Sequence, residues 1–521
     1  MALDIIRDSV PEPQQQHDDA AAAWSAGEYE RCLHLCSTVT LAHDPRFVEH
    51  ALLRARALLR LGRPADVPVG LQPLLGHDDD GVRLSARGLI GTARVRMRDE
   101  GGVRALQDAL DDAATAAPAV RSEIAIGLAL AHYANTDYQA AVRALDLVDR
   151  DSDISYARAL EYRGWVATAL GDQEAATRWF AQALEAIDGC RQRDRYLEAN
   201  CTQALAALAL ERFDRAAWAE VVRRRAELDW SADSLHEHRF FIALRAAVFA
   251  YDVEGDPLQA AWEARCAEEW APTDAFRVQA LCCRAQIARK ARESVSQRNH
   301  VEAARCLFEG IRGSLGDGDA LIVMLVLAEE LSNAGAAADA REMFSRYRNH
   351  SRMSPLLSMA HDPRLVGFET LVEAQILEAE GRVREAVGAY REAFRFFSGI
   401  RSLRRSLTAA VRLTRLSPDD ATVRDHVETV AAEIAKGSWI APLAEGLRRA
   451  GAARWLSPAQ RTYLTLLCDG KSNPEIARVC NRSVHTVRNQ VAVLFDIFGV
   501  QSRAELVALC ARLGILDVGR A

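Results

Sequence analysis

The amino-acid sequence predicts an all-α protein: an α-solenoid of helical hairpins over most of its length, then a small four-helix unit near the C-terminus. Three observations predict it. Before residue 450 strand patterning is almost absent, while Ala, Leu, Arg and Glu dominate and apolar residues recur at helical spacing. Glycines punctuate that stretch at Gly27, Gly62, Gly101, Gly171, Gly255, Gly335 and Gly381. From residue 454 onward both the charge and the pattern of caps and turns change.

The glycines stand 35, 39, 70, 84, 80 and 46 residues apart. The three long gaps halve if further turns fall at Asn135-Thr136-Asp137, Glu211-Arg212-Phe213 and Arg298-Asn299-His300. A turn at that spacing predicts about ten hairpins. Gly171 is followed by Ala176, Phe180 and Ala183; Gly335 by Ala340, Phe344 and Tyr347; Gly381 by Ala386, Tyr390 and Ala393. Glycine turns the chain, alanine lets two helices approach, and the aromatic ring fills the groove between hairpins. Gly164 supplies a further small residue for close packing. Weaker copies follow Gly27 (Tyr29, Cys32), Thr136 (Tyr138, Ala141) and Gly255 (Ala260). The pattern resembles the tetratricopeptide repeat (TPR), with a mean period longer than the ~34 residues of that repeat, so longer helices or irregular loops are expected. A HEAT-like stack is the structural alternative. Stacked hairpins form a superhelix whose concave face binds extended ligands or partner segments. Trp165, Trp179, Trp218 and Trp262 are expected in the inter-helix core.

In the C-terminal unit, Ser457 and Pro458 open a helix that Gly470 ends. Ser472 and Glu475 form a capping box for a short helix that stops near Cys480-Asn481. Ser483 caps a longer helix, in which Val487, Val491 and Leu494 share one face while His485, Arg488, Asn489 and Ala492 face outward. Gln501-Ser502-Arg503 caps a last helix, Ala504 to Leu513. A short helix, a tight turn and a longer helix with a polar outer face make a helix-turn-helix.

The segment from Leu456 to Leu516 resembles the LuxR-type DNA-binding domain. The hallmarks stand as Leu456-Ser457-Pro458, Gly470-Lys471-Ser472-Asn473-Pro474-Glu475-Ile476-Ala477, Ser483-Val484-His485-Thr486-Val487-Arg488-Asn489, and Phe498-Gly499-Val500-Gln501-Ser502-Arg503-Ala504-Glu505-Leu506. The resemblance implies that the third helix enters the major groove of double-stranded DNA with Arg488, Asn489 and Ala492 at base-reading positions. Guanine, adenine and the thymine methyl suit these side chains in turn. It implies phosphate contacts from Ser472, Asn473, His485, Thr486, Gln490 and Arg503. It also implies a homodimer paired through Leu506, Val507, Leu509 and Cys510. The chain departs from the family at Gln460 and Thr462, where acidic residues are usual, at Asp496-Ile497, where a basic pair is usual, and at His485, where Lys is common. These departures weaken phosphate attraction. Val493, Phe495 and Phe498 make the late part of the third helix unusually apolar, read first as extra core and second as a protein-contact surface.

The expected domains are a TPR-like arm at 1–435, a linker or capping helix at 436–455 and the LuxR-type domain at 456–521. The net charge of −7 divides unevenly: from Arg454 onward nine Lys/Arg face five Asp/Glu, a net of +4, and the remainder carries −11. Only the basic end is suited to a duplex, because the acidic arm repels it. Eleven cysteines without paired metal-ligand spacing read as reduced, mostly buried thiols. No secretory signal, membrane-spanning run, phosphate-binding Gly-x4-Gly-Lys loop or catalytic constellation is evident. The sequence thus predicts a cytoplasmic, non-enzymatic transcriptional regulator without cofactor or metal. Its arm would take a peptide, protein or small-molecule signal. The alternative is an adaptor whose helix-turn-helix docks protein.

Overall fold

The computed structural model describes residues 13–38, 46–151, 153–191, 193–313, 317–353, 363–417, 456–498 and 500–513, with isolated positions between 422 and 429. The expected linker at 436–455 lies outside the described residues, as do Gly499 and everything after Leu513. Among the described residues there are helices and no strands.

The arm is built from antiparallel helix pairs. From Pro118 the pairing is regular: Pro118–Ala134 with Tyr138–Leu145, Asp153–Ala169 with Gln173–Gly189, Arg195–Arg212 with Arg215–Glu227, and His236–Phe249 with Pro257–Glu269. Asp274–Lys290 with Ser294–Ile311, Asp317–Asn333 with Ala337–Met353, and Pro363–Ala379 with Val383–Gly399 follow, and Leu403–Leu416 begins the next rung. The turn inside most pairs carries one residue of positive φ, the left-handed conformation that ends a helix. Gly171, Gly255, Gly335 and Gly381 supply it as expected, and so do Thr136 (φ 62°) and Phe213 (φ 55°). Two expected positions are corrected. The third turn is at Arg98 (φ 62°), while Gly101 starts the following helix. Residues 298–300 lie inside Ser294–Ile311, and the turn is earlier, at Arg292 (φ 64°).

An aspartate follows several of these residues and caps the next helix. The carboxylates of Asp137, Asp172 and Asp214 accept the backbone N–H of Ala140, Ala175 and Ala217 at 3.0, 2.9 and 3.0 Å. The Ala-aromatic pattern lies in the core: Ala176, Phe180, Ala340, Phe344, Ala386 and Tyr390 are all buried. Gly164 faces the Phe180 ring so closely that a methyl group there would stand 2.7 Å from it. Trp218 is buried and stacks on Phe249 at 4.3 Å, and Trp165 and Trp179 are half-buried against the same core. Trp262 is not core; it is 46% exposed on the outer helix of its pair.

The superhelix is wound so tightly that its successive turns touch. Ser234 Oγ donates to the Gly27 carbonyl at 2.7 Å, and Arg60 stacks over Tyr196 at 4.5 Å. Further along, Arg401 pairs with Glu174 at 2.9 Å, Arg404 with Glu211 at 3.2 Å, and Ser402 donates to Glu211. The open concave groove expected of stacked hairpins is therefore bridged across its width, and what remains inside is a discrete cavity.

Candidate nucleic-acid interface

The C-terminal unit is assembled by caps. Ser457 Oγ accepts the Gln460 N–H at 3.2 Å and the Gln460 side chain accepts the Ser457 N–H at 2.9 Å, fixing the start of Pro458–Cys468. Gly470 (φ 82°) turns the chain out of that helix. Glu475 accepts the Ser472 N–H at 2.7 Å and the Ser472 hydroxyl at 2.6 Å, opening Asn473–Val479. These bonds hold the Glu475 carboxyl below its usual range. Asn481 (φ 51°) makes the tight turn, and Ser483 Oγ accepts the Thr486 N–H at 3.0 Å to start Val484–Phe498.

That third helix buries Val487, Val491, Leu494 and Phe498 in a core shared with Ile476, Ala477, Tyr463, Leu464 and Leu467. Its opposite face carries His485, Arg488, Asn489 and Ala492, all exposed. Arg488 makes no ion pair among the described residues. Asn489 Nδ2 lies 3.4 Å from His485 Nε2, one turn away. A shallow groove runs beside this face, and Ser472, Asn473, Arg488, Ala492 and Arg503 all line it. Thr486 is exposed with its hydroxyl 2.8 Å from that of Ser483, and Gln490 is half-buried.

Two groups of expected residues sit differently from their expected roles. Arg503 donates Nη2 to the Leu467 carbonyl at 3.0 Å and also to the Lys471 carbonyl, so it ties the last helix, Arg503–Leu513, to the end of the first. It lines the groove, but this arm of its guanidinium is already used within the domain. Leu506, Leu509 and Cys510 are buried in the domain's own core. Val507, in the same helix, is half-buried. Of the late apolar residues of the third helix, Phe498 is core, Phe495 half-buried and Val493 38% exposed.

Residues 454–510 match the family described as "GerE: Bacterial regulatory proteins, luxR family". They form a luxR-type helix-turn-helix domain. The match covers the C-terminal unit and leaves the arm outside it. No curated protein matches the chain. Among solved structures the chain is similar to a Rap protein complexed with competence and sporulation factor, at 11% identity and a TM-score of 0.36, over 73% of this chain and 99% of that one. It is also similar to the APC/C hetero-tetramer Cut9–Hcn1, at 11% identity and a TM-score of 0.24, over 80% and 89%.

Sequence reasoning passed over Lys471 and Arg482, exposed in the luxR-type domain immediately before the capping serines of its second and third helices. A cation just ahead of an N-cap serine was the available signal. It also singled out no charged residue inside the arm, where the inner helices bring many together (Arg404, Arg405 and Glu211 among them). They come from helices far apart in sequence, so no local motif announces them. Among the described residues no helix is long and apolar enough to cross a membrane.

Proposed function

We propose that the protein is a transcriptional regulator that reads double-stranded DNA with the helix Val484–Phe498, while the arm receives a signal. One observation carries this: Arg488 and Asn489 stand side by side on the exposed face of a helix whose other face is locked into a core. Arg488 bonds the O6 and N7 of guanine in bidentate fashion, Asn489 does the same with adenine, and the Ala492 methyl reaches a thymine methyl one turn on. The partial positive charge of the helix N-terminus, with Ser472, Asn473, Thr486, His485 and Gln490 nearby, holds backbone phosphates. Lys471 and Arg482 add point charges there. Two copies of the domain bind the two halves of a pseudo-palindromic site. A peptide, protein or small ligand bound by the arm alters how the reading helices are presented.

The test recovers DNA bound by the full chain from a random duplex pool, then measures the affinity of wild type and of Arg488→Ala with Asn489→Ala for the selected site. Loss of about 2–6 kcal/mol, the sum of two bidentate contacts, is expected for the selected site. Much less is expected for unrelated DNA. Equal affinity of the two proteins for the selected site overturns the assignment. The second reading, a non-enzymatic adaptor that docks protein, is favoured by the exposed Val479, Val484 and Val493 around the same helix. It gains the field if the full chain binds no duplex at about 50 mM salt, where phosphate contacts are strongest.

A further inference from the structure

The cavity inside the arm has a chemistry of its own. Its volume is about 360 Å³, and it is lined from six successive inner helices, running from Arg195–Arg212 to Leu403–Leu416. That size holds a small organic molecule and is too small for a folded partner. Seven cationic side chains line it against three carboxylates, beside apolar surface from Phe241, Phe368 and Ile322.

The charges are unevenly matched. Lys290 and Arg412 find acids from outside the lining, Asp252 and Glu378, the latter at 3.0 Å. Arg404 and Arg405 both pair with Glu211, at 3.2 and 3.6 Å, while Glu329 acts on both from further off; Glu211 also takes the Ser402 hydroxyl. Burial works against charge on Glu211, yet the two guanidinium groups hold it down at about 2. Burial, and then repulsion from Arg404, pull Arg405 down to about 10. Burial also lowers Arg412. Arg289 reaches Glu330 at 3.3 Å through Nη2, while its Nε is buried with no hydrogen-bond partner among the described residues. Burial raises the carboxyl of Glu330 against the opposing pull of Arg289. The Arg405 guanidinium carbon lies over the Phe368 ring, 3.8 Å from its centre, so cation and apolar surface adjoin.

Clustered guanidinium groups partly withdrawn from water repel one another unless an anion completes them. Guanidinium is the group best shaped to take a carboxylate or phosphate through two parallel hydrogen bonds. We infer that this cavity binds a small molecule carrying one anionic group, carboxylate or phosphate, on an apolar or aromatic body. The anionic group sits between Arg404 and Arg405, and the body lies against Phe368 and Phe241. This names the class of signal for the arm and so rests on the reading of the arm as the receiving part. Because Glu211 is also the cross-turn contact of the superhelix, such a ligand competes with it for the same two arginines. Occupancy is thereby linked to how tightly the coils are held.

Calorimetric titration of the full chain tests this with three probes on one phenylpropyl body: 4-phenylbutyrate, 3-phenylpropyl phosphate and the neutral 4-phenylbutyramide. At least one anion should bind saturably, and the amide at least about tenfold more weakly, the equivalent of one charge-assisted hydrogen bond. The two anions distinguish a carboxylate from a phosphate ligand. Arg405→Met should weaken the anion about tenfold or more, and Arg223→Met, on the outer surface and paired with Glu220, should change nothing. If Arg405→Met does not fold, Gln286→Glu serves. It adds a negative charge to the lining with little change of shape and should also weaken the anion. Equal binding of amide and anions keeps the arm as a ligand-binding region and overturns the anion preference. Unchanged binding in Gln286→Glu overturns the location. No binding by any probe at about 10 mM, a concentration at which even millimolar affinity registers, overturns the proposal. None of these results involves Arg488 or Asn489, so the DNA reading fails or stands on its own experiment.

Discussion

Arg224 and Arg488 mark opposite uses of the same side chain. Arg224 is 1% exposed and is held by Asp188 at 2.8 Å, Glu198 at 3.2 Å, Glu220 at 2.7 Å and the Leu184 carbonyl at 3.2 Å. Arg488 stands in solvent on the outer face of its helix. The arm turns many of its charges inward and pairs them across rungs, as Arg225 with Glu263 and Arg341 with Glu380 also show. The luxR-type domain fills its interior with Leu, Ile, Val, Tyr and Phe and sends its cations outward. Net charge alone therefore does not say where a chain meets an anion. In the arm many arginines are spent on internal acids, and in the domain Arg488 stays in solvent.

Predictions can break or sharpen that contrast. The largest effect is expected for Arg224→Met, which takes from the fully buried Glu198 the nearest of its three arginines and from Asp188 and Glu220 a shared partner. Loss of about 3–5 kcal/mol from the arm's unfolding transition is expected in urea, with the affinity of the domain for DNA retained. A change under 1 kcal/mol would show that the buried network does not hold the arm. Next comes Gly164→Ala. Helix propensity alone favours alanine by about 1 kcal/mol, but the methyl group meets the Phe180 ring, and overpacking of this kind costs about 1–3 kcal/mol. A net loss is therefore expected on thermal melting, relieved when Phe180→Leu is added. The smallest effect is expected for Lys471→Ala. The slope of log affinity against log salt should fall by about 1, with sequence preference unchanged. An unaltered slope would remove Lys471 from the phosphate contacts.

Much of the arm's rhythm was legible because the turns need left-handed backbone, and glycine adopts it without strain. Arg98 and Arg292 occupy the same conformation and give no such signal, so those turns were placed wrongly. The aspartate that follows Thr136, Gly171, Phe213 and Gly255 is a second marker, since its carboxylate caps the next helix, whereas Asp99 after Arg98 accepts the Gly101 N–H and Glu293 after Arg292 makes no side-chain cap. Trp262 was expected inside because large aromatic rings usually are, and it sits on the outward side of an outer helix. In the luxR-type domain, caps and periodicity placed the inner and outer faces of the third helix correctly. The last helix was harder: Leu506, Leu509 and Cys510 have the spacing of a contact stripe, and that spacing serves equally for packing inward. Cross-turn contacts such as Arg401 with Glu174 were illegible, because no local pattern ties residues so far apart in the chain.

Those contacts carry a consequence for how the arm comes apart. Repeat stacks ordinarily behave as one-dimensional arrays, in which each unit feels only its neighbours and ends fray first. Here Gly27 is bonded to Ser234 and Glu174 to Arg401, so the array is stitched back onto itself. Loosening a single rung releases partners a full coil away, and the arm should lose structure as one cooperative body.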